Sequence, residues 1–145
     1  MVSISGRIDG AAHRYPVRIY YEDTDAAGIV YYANYLKFAE RARTEMLRLV
    51  GYDHSTLAAA CHANFAVRRC TVDFRSPARL DDEIEVVTRL RALGGASAEL
   101  EQTIVRGAEE LARIELRLAL IATTGRPARL PAPLRAALKP LVKPS

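Results

Sequence analysis

Cysteine is scarce. Cys61 and Cys70 are the only two in 145 residues, and their spacing matches no metal-binding pattern. They fit buried or spare thiols in a reducing cytoplasm better than a disulfide framework. Long apolar runs are missing as well. None approaches the roughly 18 residues that a membrane span needs, so no integral membrane segment is expected. Residues 1–12 are small and polar without an apolar core, so no secretory signal is evident and a cytoplasmic location is expected. The three histidines, His13, His54 and His62, show no ligand spacing; they are expected at the surface, and no metal site follows from them. Acid is scarce in one region. The last 35 residues carry seven basic residues and a single acid, Glu115, which leaves 14 basic and 16 acidic residues in the first 110. The net charge of +4 is thus a basic end and not a basic face, which argues against nucleic-acid binding. A solvated tail accounts for it, with contact to a phosphate-bearing ligand or an anionic surface as the alternative.

What is present fits one globular domain. Half of the residues are apolar and 26% are charged, enough to build a sizeable core at this length. Residues 1–12 lack periodicity and are expected to form a frayed, flexible tail. Residues 13–21 alternate and are rich in Val, Ile and Tyr, which predicts a strand, with Pro16 marking an edge or a late start. An acidic loop, residues 22–28, follows. Residues 32–50 then place Tyr35, Phe38, Ala39, Ala42, Met46, Leu49 and Val50 on one stripe of a long helix, closed by Gly51. Asp53 or Ser55 can cap a short helix at 56–61. Four further strands are predicted at 65–75, 83–93, 97–106 and 111–123, separated by short turns that favour antiparallel pairing. Five of the seven prolines lie between Pro127 and Pro144. Residues 124–145 are therefore expected to be a Pro-rich, basic, largely linker-like tail, with room for a short helix at 130–141. Strand, long helix and four strands predict an α+β fold, one antiparallel five-stranded sheet with a helix laid across it. Its other face and its edges need cover, which favours a homo-oligomer.

The chemistry concentrates at the loop. Asp23 and Asp25 are two residues apart, so in an extended loop they point to opposite sides and only one can face a site. Gly28 lets the backbone turn into the helix. The amides of Tyr31, Tyr32 and Ala33 then lack helical acceptors and, with the helix dipole, suit negative charge developing on a carbonyl oxygen. A carboxylate beside them could attack as nucleophile or serve as base for water. The same residues also fit a plain capping loop. Glu40 is expected to pair with Arg43 or other neighbouring charges on the helix.

The run Tyr20-Tyr21-Glu22-Asp23-Thr24-Asp25-Ala26-Ala27-Gly28-Ile29-Val30-Tyr31-Tyr32-Ala33-Asn34-Tyr35 resembles the signature of the hotdog-fold acyl-CoA thioesterases of the 4-hydroxybenzoyl-CoA thioesterase family. Glu40-Arg41-Ala42-Arg43-Thr44-Glu45 and Pro77-Ala78-Arg79-Leu80-Asp81-Asp82 resemble its branch associated with the Tol-Pal envelope system. The resemblance covers roughly residues 17–123 and makes residues 13–123 a hotdog thioesterase domain, a long central helix wrapped by the sheet. It implies dimers whose sheets join edge to edge, often paired into tetramers, with active sites at the dimer interface. It implies hydrolysis of a small acyl- or aroyl-CoA to free acid and CoA, without a metal or other cofactor. Asp25 falls on the catalytic carboxylate and Tyr32 on the residue whose amide polarises the thioester carbonyl. Gly28, Ile29, Val30 and Tyr31 are expected against the substrate. Asp23 is left as a loop or capping residue. Two departures stand out. Many members of the branch carry His where this chain has Tyr32, and tyrosine there is like the aroyl-CoA thioesterases. Relatives place a basic residue near Gly94 for the CoA phosphates; here Arg89, Arg91, Arg126 or Arg129 would have to serve. Two other functions compete. A hydratase or dehydratase on the same fold would need a positioned His that this loop and helix lack. A non-catalytic acyl- or acyl-carrier-protein-binding scaffold, linked to envelope maintenance, would not need the Asp25 and Gly28 pair.

Overall fold

The computed structural model describes residues 3–142. The chain runs β1 (Arg7–Asp9), β2 (Ala12–Arg18), α1 (Asn34–Leu49), α2 (His54–Cys61), β3 (Ala63–Phe74), β4 (Glu83–Leu93), β5 (Ser97–Arg106), β6 (Glu109–Ala122) and α3 (Ala132–Leu138), with single 3-10 turns at Tyr21–Asp23 and Lys139–Leu141. One sheet results, ordered β1-β2-β4-β5-β6-β3, and each neighbouring pair is antiparallel. The α+β architecture is as expected, with a sixth strand added. That strand corrects the picture of a frayed start. Residues 7–9 pair with β2, and Ser5 and Gly6 are buried. Gly6 crosses β2 so closely that a Cβ would lie 2.2 Å from the Arg14 carbonyl oxygen, with φ at +74.

α1 lies across the sheet on the stripe that its periodicity marks. Tyr35, Phe38, Ala39, Ala42 and Met46 are buried, and the stripe ends on Leu47, whereas Leu49 is 42% exposed. The helix ends as Gly51 predicts. The Gly51 N–H donates to the Arg48 carbonyl (3.1 Å) and the Tyr52 N–H to the Leu47 carbonyl (2.8 Å), with Gly51 at positive φ. Asp53 caps α2 through a 2.8 Å bond from the Thr56 N–H. Two alanines, Ala39 and Ala42, bring α1 close enough to the sheet for direct polar contact. The Gln102 side-chain amide on β5 donates to the Ala39 carbonyl (2.9 Å) and to Thr88 Oγ1 on β4 (3.0 Å). Its oxygen accepts from Arg43 Nη1 (3.0 Å). The fully buried Gln102 side chain would otherwise carry the cost of unpaired polar atoms in the core. Glu40 does not pair with Arg43 by a close salt bridge; it accepts from the Thr44 hydroxyl at 3.2 Å.

His13 corrects a second expectation. It is not at the surface but 0% exposed, in the same cross-strand row as Thr88 and Gln102. Its Nε2 lies 2.7 Å from the Ser5 carbonyl, and its Nδ1 has no partner among the described residues. The cover comes from the segment before β1, where the Ser5 hydroxyl donates to Glu45 of α1 at 2.8 Å. The basic C-terminus is the third correction. Residues 124–142 are not linker-like. Leu130, Leu134, Leu138 and Leu141 are buried, Arg135 Nη2 donates to the Gly94 carbonyl (2.6 Å), and the Leu130 N–H donates to the Gly95 carbonyl (2.9 Å). The prolines frame a short helix that closes the end of the core where β4 turns into β5.

Burial pushes the His13 imidazole below its ordinary value of 6.5, against the raising influence of the Ser5 carbonyl and the Glu45 charge. The folded state thus holds it neutral. Its contribution to stability is complete above about pH 6.5 and is lost as the pH falls from there towards the depressed folded value, because the unfolded chain takes up the proton first. Urea unfolding between pH 7.5 and 5.5 should show stability falling by up to about 1.4 kcal/mol per pH unit in that window. The His13→Gln variant, less stable at neutral pH, should show a flatter profile.

Candidate active site

Between β2 and α1 the chain folds back on itself twice. The first turn is capped by Asp23, whose carboxylate accepts from the Tyr20 N–H (2.8 Å). Its carbonyl accepts from the Tyr31 N–H (3.0 Å) and from the Asn34 side-chain amide (2.8 Å). The role of Asp23 is thus structural, and Asn34 ties the first residue of α1 to the loop. The second turn spans residues 25–28. The Gly28 N–H donates to the Asp25 carbonyl (3.0 Å), and the Asp25 N–H donates to the Ile29 carbonyl (2.9 Å). Gly28 sits at φ +77 with open space around it, so its requirement is conformational and not steric. Asp25 Oδ1 accepts from the Ala27 N–H (2.9 Å), an Asx turn. Its other oxygen has no partner among the described residues, and the side chain is exposed.

α1 begins at Asn34, two residues later than its periodicity suggests. Tyr32 and Ala33 therefore stand just before the first helical turn. Neither amide makes a backbone hydrogen bond among the described residues. These are the unspent donors that a helix start offers to negative charge.

Beside them lies a cleft of about 310 Å³, lined by Ile29, Val30, Tyr32, Tyr35, Phe74, Arg75, Ser76 and Pro77. The structure thus brings Ile29, Val30 and Tyr32 together in one wall. Gly28 and Tyr31 do not line the cleft. Asp25 does not line the cleft either; it is tied to it only through its N–H, which donates to the carbonyl of Ile29 in the cleft wall. The opposite wall comes from the end of β3, some forty residues on in the sequence. Phe74 packs edge-on to Tyr32, with ring centroids 6.1 Å apart, and against Tyr35 at 5.7 Å. Tyr32 remains 61% and Phe74 48% exposed, so the aromatic surface faces the cleft mouth instead of a sealed core. Tyr35, Phe74, Arg75, Ser76 and Pro77 were not singled out for the site by the sequence. Tyr35 carried only the signal of an apolar stripe, and residues 74–77 only that of a strand giving way to a turn.

The basic candidates for phosphate contact lie elsewhere within one copy of the chain. Arg91 is paired with Glu101 at 2.5 Å. The Arg129 guanidinium lies over Gly95, in the turn at the far end of the sheet from the Asp25 loop. Among the described residues no group of three or more His, Cys, Asp and Glu side chains is arranged to hold a metal ion, and no helix is long and apolar enough to cross a membrane.

A helix cradled in a curved antiparallel sheet, with its open N-terminus against a carboxylate-bearing loop, defines the hotdog class of thioester-handling proteins. The chain belongs to the thioesterase-like superfamily, which it matches over residues 19–138. It is 49% identical over 98 residues to the acyl-CoA thioester hydrolase YbgC of Escherichia coli O6:H1, covering 68% of this chain and 72% of that protein. It is 40% identical over 107 residues to the acyl-CoA thioesterase YbgC of Haemophilus influenzae, covering 74% and 79%. Its fold superposes on the crystal structure of a probable thioesterase from Bartonella henselae with a TM-score of 0.79 and 38% identity, over 83% of this chain and 99% of that one.

The Tyr35 hydroxyl accepts from the N–H of Ala78 at 2.9 Å, and Ala78 is 0% exposed. Tyr35→Phe strands that buried donor and should lower unfolding free energy by roughly 1–3 kcal/mol in a urea titration.

Proposed function

We propose that this protein hydrolyses the thioester of a small acyl- or aroyl-CoA to free acid and CoA. The observation that carries this reading is an aromatic cleft between Tyr32 and Phe74 beside two unspent amides at a helix start, with an exposed carboxylate, Asp25, on the loop that leads into it. Asp25 acts on the thioester carbonyl carbon, either by direct attack or by drawing a proton from the attacking water. In the first route a mixed anhydride forms as the C–S bond breaks, the CoA thiolate leaves, and water then cleaves the anhydride. In the second the water oxygen adds directly as its proton passes to Asp25, the C–S bond then breaks, and the departing CoA thiolate takes that proton up. Either way the carbonyl oxygen gains charge, and the Tyr32 amide, backed by the α1 dipole, donates to it. A thioester is already activated for acyl transfer, so no metal or redox cofactor is required. The two YbgC relatives named above, an acyl-CoA thioester hydrolase and an acyl-CoA thioesterase by name, support this reading.

The protein works as a dimer or a dimer of dimers in the cytoplasm, where its two free thiols are at home. β3 is a twelve-residue edge strand that exposes Val67 and Phe74, the kind of edge that proteins cover. Antiparallel pairing of two β3 edges would carry the start of β3 in one copy towards the end of β3 in the other. The start of β3 pairs with the end of β6, so Arg126 and Arg129 would travel with it towards the cleft, where CoA phosphates need cations. An acyl thioester on acyl carrier protein is a second substrate form compatible with the same cleft.

Thiol release measured across short aliphatic, long aliphatic and aromatic acyl-CoAs tests the proposal. Release is expected from at least one small acyl- or aroyl-CoA. Asp25→Asn should lower kcat on the best of them by several orders of magnitude with KM nearly unchanged. Near-normal turnover by that variant would remove Asp25 from the mechanism. No release from any substrate, together with tight binding of an acylated carrier protein, would make the protein a scaffold.

A further inference from the structure

Beyond Pro77, which ends the cleft wall, the segment at residues 77–82 has no part in the chemistry above, yet it holds the reactive loop from outside. The Val30 N–H donates to the Ala78 carbonyl (2.9 Å), and the Leu80 N–H donates to the Gly28 carbonyl (3.3 Å). Ile29 and Arg79 form an antiparallel bridge between those two bonds. A short strip of sheet thus joins residues 28–30 to residues 78–80, and the Tyr35 hydroxyl adds a bond from α1 to the same strip. Whatever fixes the height of residues 77–82 fixes where Asp25 stands relative to the Tyr32 amide.

Two backbone bonds to Ile19 hold the far end of the segment, from the Ile19 N–H to the Asp82 carbonyl (2.9 Å) and from the Asp81 N–H to the Ile19 carbonyl (3.0 Å), and charge holds the rest. Asp82 Oδ2 accepts from the Arg79 N–H (2.8 Å) and from Arg106 Nη1 at the end of β5 (2.6 Å). The same guanidinium nitrogen reaches the Pro77 carbonyl (3.3 Å), and Nη2 donates to Glu109 at the start of β6 (2.6 Å). Glu109 also accepts from the Ser76 hydroxyl (2.9 Å). Arg106 therefore grips both ends of the segment and fastens them to the β5–β6 turn, which belongs to the sheet. The pair is half-buried, with side-chain exposures of 23% for Asp82 and 31% for Arg106. Burial pushes the Asp82 carboxyl up, but the Arg79 amide and the Arg106 guanidinium more than offset this and hold it below the ordinary carboxylate range. It is charged at neutral pH.

We propose that Asp82 and Arg106 are positioning residues for the thioester chemistry, an ion-paired clamp that holds residues 77–82 against the Asp25 loop and so sets the distance between the reactive carboxylate and the helix N-terminus. The inference rests on the thioesterase reading given above. Neither side chain lines the cleft or touches the reacting atoms. Both act through backbone bonds to Gly28 and Val30. Displacements of about 1 Å between reacting groups can cost on the order of a hundredfold in rate, so a clamp of this kind matters more to kcat than to folding.

The test uses the full-length protein and its best acyl-CoA, with two readouts on each variant: steady-state kinetics and amide hydrogen exchange. Asp82→Ala and Arg106→Met should lower kcat roughly 10- to 100-fold, with a much smaller change in KM. They should speed exchange at Val30 and Leu80 while amides of β4, β5 and the middle of α1 keep their protection. Arg106→Lys, which keeps a charged donor for Asp82, should recover a large part of both. Should Asp82→Ala fail to fold, Asp82→Asn keeps an acceptor for the Arg79 N–H and decides the matter by the same two readouts. Faster exchange without loss of kcat would overturn the proposal, and so would loss of kcat without faster exchange. Asp25→Asn, run beside them, separates the two ideas. If it abolishes turnover while the clamp variants behave as wild type, the clamp alone fails. If it turns over normally, the Asp25 assignment fails, and the exchange and kcat of the Asp82 and Arg106 variants still decide the clamp.

Discussion

The contact between Gln102 and α1 is the constraint on which the rest of the molecule depends. A helix laid across a sheet can slide and rotate if only apolar side chains hold it, because hydrophobic contact has little direction. Gln102 removes that freedom. Its amide bonds a mid-helix carbonyl, Ala39, and a strand hydroxyl, Thr88, while Arg43 closes the remaining acceptor. Burial pushes the Arg43 guanidinium below its ordinary value, against the raising influence of the Glu40 charge, and the group remains a cation. The three side chains belong to three elements, so their hydrogen bonds are satisfied together only at one helix position. That position decides where the N-terminus of α1 opens.

The site then follows from what must meet at that opening. Asn34 and Asp23 tie the first helical turn to the loop, and the Asx turn at Asp25 with Gly28 at positive φ folds the loop back beside it. Residues 77–82 brace it from the other side. None of these bonds is strong by itself. Together they fix the loop that carries the Asp25 carboxylate to the start of α1, where the Tyr32 and Ala33 amides have no backbone partner among the described residues. An arrangement that leaves polar groups unspent is costly for stability and useful for catalysis. The aromatic cleft beside it is open to the face on which β3 ends.

The elements themselves were largely legible in the sequence. The strands at 83–93 and 97–106 carry a period-two pattern and glycine turns, and the structure places β4 and β5 at those residues. α1 was marked by its apolar stripe and by Gly51. The misses share a cause. Residues 7–9 are too few and too polar to show a period, and they form a strand because β2 offers them a partner. The prolines after residue 124 signal an irregular backbone, but not that Leu134 and Leu138 find a gap at the end of the core. His13 looks like a surface residue in a half-polar strand until Ser5 folds over it. Of the candidate site, the turn at Asp25 and Gly28 and the helix start at Tyr32 could be marked because the loop that carries them is local. Phe74 and Pro77 could not, since their approach depends on where β3 ends relative to α1.

By itself the sequence determined the period of each strand, the face of the long helix, the turn at Gly28 and the placing of a carboxylate a few residues before a helix start. These are consequences of backbone stereochemistry and side-chain alternation within a dozen residues. The tertiary structure alone decided which residues form the wall of the cleft opposite the loop, and what braces the loop. Those outcomes depend on strand register and helix position. Register and position are fixed by hydrogen bonds and packing between residues forty to eighty apart, such as Gln102 with Ala39 and Asp81 with Ile19, whose pairing no local pattern encodes.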